Sequence, residues 1–158
     1  MKSLKIIIYL FILSFSAHAQ IRLPKLISDN IMLQRDQPIK IWGWASPKEK
    51  IELNFNKKKY KTITSDDGKW KLMLPPQPAG TGYEFSLKGK NDVTIKNIAF
   101  GDVFLCIGQS NMVHQMDIHN ITYAKDIETA NYPEIRHLFI PTRTNLVGKQ
   151  NDLSDAVA

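Results

Sequence analysis

Ser110 is the side chain in this sequence best placed to do chemistry. It lies in Gly101-Asp102-Val103-Phe104-Leu105-Cys106-Ile107-Gly108-Gln109-Ser110-Asn111-Met112, where an unbroken apolar run, Val103 to Ile107, reaches a glycine and the serine stands two positions beyond it. A serine hydroxyl becomes a nucleophile when a base takes its proton and nearby donors stabilise the oxyanion that forms on attack. The lipase elbow that meets these demands reads Gly-x-Ser-x-Gly, whereas Met112 stands here where the second glycine would be. By spacing alone, a serine in a strand-end loop is more often structural than catalytic.

The candidate bases are His114 and His119, four and nine residues after the serine, and His137 further on. A base must come within about 3 Å of the hydroxyl. One helical or loop turn brings residue i+4 near i, so His114 is the histidine that local geometry can deliver. No aspartate is clearly placed to orient it as a triad requires. His114, Asp117 and His119 are also a poor start for a zinc site, which needs three or four ligands in a defined geometry. Asp66-Asp67 reads as a turn rather than as the six or more oxygens that calcium takes. Cys106, the one cysteine, sits inside the apolar run and reads as a buried, inert thiol. Nothing in the pattern calls for a cofactor or a metal.

The elements that must position Ser110 fall into two groups. Val103 to Ile107 shows no alternation, which predicts a strand covered on both faces, as in a parallel sheet. Reactive groups in open α/β sheets lie just outside the carboxyl ends of such strands. Ile121, Ala124 and Ile127 have helical spacing, Asn131-Tyr132-Pro133 would stop that helix, and Ile135 to Ile140 reads as a second buried strand. Strand, turn, helix and strand are the opening of an α/β layer fold.

Upstream, apolar and polar residues alternate with a period of two. Ile39 and Ile41, then Ile51, Leu53 and Phe55, then Trp70, Leu72 and Leu74 each share one face, and Tyr83, Phe85, Leu87 and Val93, Ile95 and Ile98 continue the pattern. Asn56-Lys57-Lys58 and Asp66-Asp67-Gly68 supply turns, because Asn, Asp and Gly tolerate left-handed backbone. Six or so strands at roughly ten-residue spacing predict an all-β sandwich of immunoglobulin-like type. Trp42 and Trp44 in its first half are either a platform for sugar rings or packing residues of the sandwich.

The first residues belong to neither group. Lys2 and Lys5 precede the apolar run Ile6 to Phe15, and Ala17-His18-Ala19 puts small residues at the positions a signal peptidase inspects. The run is shorter than the roughly 20 residues a membrane span needs. It predicts a removable leader and an exported, periplasmic or extracellular protein, with no membrane association after cleavage. The chain of 158 residues has 21 Lys+Arg against 15 Asp+Glu. Lys48, Lys50, Lys57, Lys58, Lys59 and Lys61 concentrate the basic excess. Exposed strands use lysine to avoid pairing with other chains, and no nucleic-acid-binding motif accompanies these, so nucleic acid is not an expected partner.

The words of the sequence carry more than its spacing. Gly101-Asp102-Val103, Cys106 and Gly108-Gln109-Ser110-Asn111-Met112 resemble the first block of the sialate O-acetylesterase family, serine esterases of the SGNH class. Leu23-Pro24, Ser28-Asp29-Asn30, Met32-Leu33-Gln34-Arg35, Ile41-Trp42-Gly43 and Asp67-Gly68-Lys69-Trp70 resemble the β-sandwich of that family. Ala130-Asn131-Tyr132-Pro133 with Ile135-Arg136 resembles the segment after its first block. The resemblance implies hydrolysis of acetyl esters on sugars, with Ser110 as nucleophile and its own backbone N–H in the oxyanion hole. It also implies further donors, and a histidine base in an Asp-x-x-His-like block, none of which these residues contain.

The expected organisation is therefore a signal peptide over residues 1–19, a β-sandwich over 20–98, and over 99–158 the incomplete start of an α/β SGNH-hydrolase sheet. The expected partner is an acetylated sugar or glycan. A reading from another class is a non-catalytic β-sandwich module that binds glycan or a partner chain through Trp42 and Trp44.

Overall fold

The structure is a computed structural model that describes residues 20–112, 114–141, 144 and 146–153. The leader expected over 1–19 lies outside the described residues. Among the described residues seven strands form two sheets: β1 (Met32–Gln34), β2 (Ile39–Trp44), β3 (Lys50–Phe55), β4 (Lys58–Ile63), β5 (Lys69–Leu74), β6 (Gly80–Lys88) and β7 (Asp92–Gly101). The larger sheet has the order β1-β7-β6-β3-β4, and β2 pairs with β5 in the smaller.

The period-two pattern translates directly into burial. In β5, Trp70, Leu72 and Leu74 point inward while Lys69, Lys71 and Met73 point out. Ile51, Leu53 and Phe55 of β3 do the same against Phe85 and Leu87 of β6. Inward residues of both sheets join one hydrophobic core, with Ile39 and Ile41 from the small sheet meeting Ile95, Ile98 and Phe100 of β7. Phe55 packs edge-on to Phe85 at 4.9 Å between ring centroids, and Tyr83 edge-on to Phe100 at 5.0 Å. Both distances fall in the range aromatic quadrupoles favour.

The turns form where the sequence placed them. Asn56 and Lys57, with φ of 48° and 61°, join β3 to β4, and Gly68 has φ of 77° between β4 and β5. Strand β4 is an edge of the larger sheet, and Lys58, Lys59 and Lys61 stud it. Glu52 on β3 holds Lys59 at 2.9 Å and Lys61 at 3.4 Å. The lysine cluster thus belongs to a protected sheet edge, as charge on an edge strand does in general.

Two things were not legible in the pattern. Strand β1 is three residues long, and it pairs in parallel with β7, Met32 opposite Ala99 and Gln34 opposite Gly101. Glu49 is buried in a loop, where its carboxylate accepts the Ser46 N–H at 3.1 Å and the Lys90 N–H at 2.6 Å.

Beyond β7 the expectations need correction. Val103 to Ile107 is not a buried strand: it is irregular backbone, with Phe104 83%, Leu105 79% and Ile107 77% exposed. Cys106 is exposed rather than buried. Residues 135–140 form no strand, only a single bridge at Phe139. The helix is present but short, α1 (Ala124–Thr129), and buries no residue. The two missing strands and the exposed cysteine share a physical reason. A strand exists through hydrogen bonds to a neighbour and a parallel strand through cover on both faces, and no described strand lies beside 103–107. The finding is a sheet-rich fold with almost no helix.

Candidate functional site

The site is built from the exit of β7. Its last carbonyl, Gly101, accepts the Arg35 N–H at 2.9 Å. Arg35 Nε then donates to Asp102 Oδ1 at 2.9 Å, and Gln34 Oε1 accepts the Val103 N–H at 2.9 Å. A Cβ on Gly101 would lie 2.9 Å from Met32 Sδ, so the glycine allows β1 to close over this end of β7. Met32-Leu33-Gln34-Arg35 and Gly101-Asp102-Val103, distant in sequence, become one clamp. The Arg35 guanidinium lowers the Asp102 carboxyl through its hydrogen bond and its charge, and Asp102 raises Arg35 in return. The pair is exposed, so it sets direction more than stability.

From this clamp the chain runs out through irregular backbone to a 3-10 turn, Ser110–Met112, in which the Met112 N–H donates to the Gln109 carbonyl at 2.9 Å. A Cβ at Gly108 would fall 2.6 Å from Met112 Cγ, so this glycine lets the turn fold back on its own approach. Ser110 is exposed at the start of the turn. His114 and His119 lie near each other, 5.7 Å between ring centroids, and His119 meets the edge of Tyr123 at 6.3 Å. Among the described residues no hydrogen bond joins Ser110 to His114, His119 or His137. Among the described residues, nucleophile and base therefore form no hydrogen-bonded pair.

Two tethers return this segment to the sheets. The Arg136 guanidinium donates to the Ile31 carbonyl at 2.9 Å, to the Asn97 carbonyl, and to Asn97 Oδ1 at 3.2 Å. Asp152 accepts from Arg22 Nη1 at 3.2 Å and from the Lys25 N–H at 3.1 Å. In sequence Arg136 stands only within the Ile135-Arg136 motif; the fold makes it a docking cation against Ile31 and Asn97.

The remaining candidates have structural occupations. Asp67 binds Lys69 at 2.7 Å and accepts the Ser65 hydroxyl at 2.5 Å, and these contacts pull its carboxyl down to about 2. Among the described residues no three His, Cys, Asp or Glu side chains gather as a metal site. Among them, too, no helix is long and apolar enough to cross a membrane. Trp42 and Trp44 stand half-buried on the outer face of β2.

No protein-family model matches the chain. It is 28% identical over 142 residues to the sialate O-acetylesterase of Mus musculus, covering 80% of this chain and 25% of that protein. It is 27% identical over 156 residues to the sialate O-acetylesterase of Homo sapiens, covering 90% and 29% respectively. Among solved structures it resembles a carbohydrate acetylesterase from Xanthomonas citri, with a TM-score of 0.51 and 35% identity over 52% of this chain and 19% of that one. The fold and these similarities relate the chain to carbohydrate acetylesterases. The curated relatives among these are sialate O-acetylesterases. It spans about a quarter of the length of the curated relatives it matches.

Proposed function

We propose that this chain is the part of an exported carbohydrate O-acetylesterase that carries the nucleophile, Ser110. On this reading residues 1–19 are removed on export, 20–98 form an immunoglobulin-like sandwich, and 99–158 begin an SGNH esterase unit. Ser110 Oγ attacks the acetyl carbonyl of a sugar ester while its proton passes to a histidine base. The Ser110 N–H donates to the oxyanion. Collapse of the tetrahedral intermediate expels the sugar alcohol, which takes the proton, and water then releases acetate from the acyl-serine. The observation that carries the reading is the similarity to sialate O-acetylesterases along nine-tenths of the chain, with Ser110 exposed on a turn beyond the β7 clamp.

These 158 residues hold no Asp-x-x-His block, so on this reading the isolated chain turns over no ester. The purified chain given an aryl acetate should show only the background rate. Turnover that vanishes in Ser110→Ala would overturn the inactivity. The nucleophile is tested in a chimera, with residues 20–153 replacing the matching quarter of the human relative. A chimera with acetylesterase activity abolished by Ser110→Ala supports the assignment; one whose activity survives Ser110→Ala refutes it.

A further inference from the structure

We propose that the outer face of the small sheet is an accessory binding site for a carboxylate-bearing saccharide, separate from the Ser110 turn. Trp42 and Trp44 project from the same side of β2, as residues two apart in a strand do, and their Cα atoms are therefore about 7 Å apart. Both indoles are half-buried, and Trp42 packs on one side against the hydrophobic core. The register sets Lys71 opposite Trp42 and Met73 opposite Lys40 on the same outward side. Lys40 Nζ stands 5.5 Å from the Trp42 ring. Arg22 lies 3.8 Å over Trp44 but is already paired with Asp152, and Lys69 is paired with Asp67.

Lys40 and Lys71 are different. Among the described residues neither has a carboxylate partner. The face therefore offers the Trp42 indole, with Trp44 beside it under the Arg22 guanidinium, and two cations without a carboxylate partner next to Trp42. Aromatic planes accept the apolar faces of sugar rings, and an ammonium supplies a charge-assisted hydrogen bond to a carboxylate. An acidic sugar chain lying along β2 satisfies both. A single-stranded nucleic acid also combines stacking with negative charge, but it would track a longer basic groove than two lysines provide.

The test uses the whole chain and sugars without acetyl groups, so its outcome does not depend on Ser110 or on esterase chemistry. Trigalacturonate binding is measured by calorimetry at low salt, with neutral xylotriose and a short oligothymidylate as comparisons. The expected result is binding to trigalacturonate at least about tenfold tighter than to xylotriose, weakened about tenfold or more by Lys71→Glu and by Trp42→Ala, and unchanged in Ser110→Ala. Lys71→Glu alters an exposed side chain and keeps the test valid if Trp42→Ala fails to fold. No binding of trigalacturonate at millimolar concentration, equal binding of the neutral sugar, insensitivity to Lys71→Glu, or preference for the oligothymidylate would each overturn the proposal.

Discussion

Replacing Gly43 by alanine tests the packing logic of the small sheet at its tightest point. A Cβ at Gly43 would lie 2.3 Å from the Arg22 carbonyl oxygen and 3.0 Å from Cζ2 of the buried Trp70. Neither neighbour can yield cheaply. The Arg22 carbonyl accepts the Trp44 N–H at 2.8 Å, and the Arg22 N–H donates to the Trp44 carbonyl at 2.8 Å, so moving Arg22 breaks both bonds. Two such bonds are together worth about 2 kcal/mol net. Overpacking against Trp70 adds about 1–3 kcal/mol, and the stiffer unfolded chain returns up to about 1 kcal/mol. Gly43→Ala should therefore destabilise by about 3 kcal/mol. For a domain of this size that lowers the thermal midpoint by roughly 10–20 °C. Urea unfolding followed by tryptophan fluorescence measures it. Gly82→Ala is the control: Gly82 has φ of 75° with no atom within 4 Å of a built Cβ, so only left-handed strain of about 1 kcal/mol applies. If Gly43→Ala proved no more destabilising than Gly82→Ala, the steric account of Ile41-Trp42-Gly43 would be wrong.

Three further outcomes follow from the same structure. Glu49→Ala removes the acceptor of two N–H groups in a buried loop and should cost about 3 kcal/mol in chemical denaturation, with no effect signalling that water replaces the carboxylate freely. Asp67, lowered from 3.8 to about 2 chiefly by its Lys69 hydrogen bond, has a depressed folded value, so its contribution is complete above 3.8 and is lost as pH falls through about 2. The difference in thermal midpoint between the parent and Asp67→Asn should accordingly shrink across that window, and a difference independent of pH would contradict the assignment. Arg136→Ala frees the segment beyond β7 while leaving the core intact. Losing about 1 kcal/mol of docking should raise chymotryptic cleavage after Phe104 or Tyr123 about fivefold, and an unchanged cleavage rate would mean that Asp152 alone holds the segment.

What the sequence determined by itself was whatever depends on neighbours along the chain. Alternation of apolar residues in Ile51-Leu53-Phe55 and Trp70-Leu72-Leu74 specifies strands and their inward faces, and Asn56 and Gly68 specify turns, because both are local consequences of backbone geometry. The motifs around Ser110 pointed to carbohydrate acetylesterases for the same reason: a word is read in sequence. Pairing is another matter. Nothing in Met32-Leu33-Gln34 announces a strand, yet parallel contact with β7 makes it one and joins Gln34 and Arg35 to Asp102 and Val103. The reverse holds for Val103 to Ile107, whose composition suits a buried strand but which lies exposed. Five apolar residues state a preference for cover; only a neighbouring strand, bonded to their N–H and C=O groups, turns that preference into a sheet.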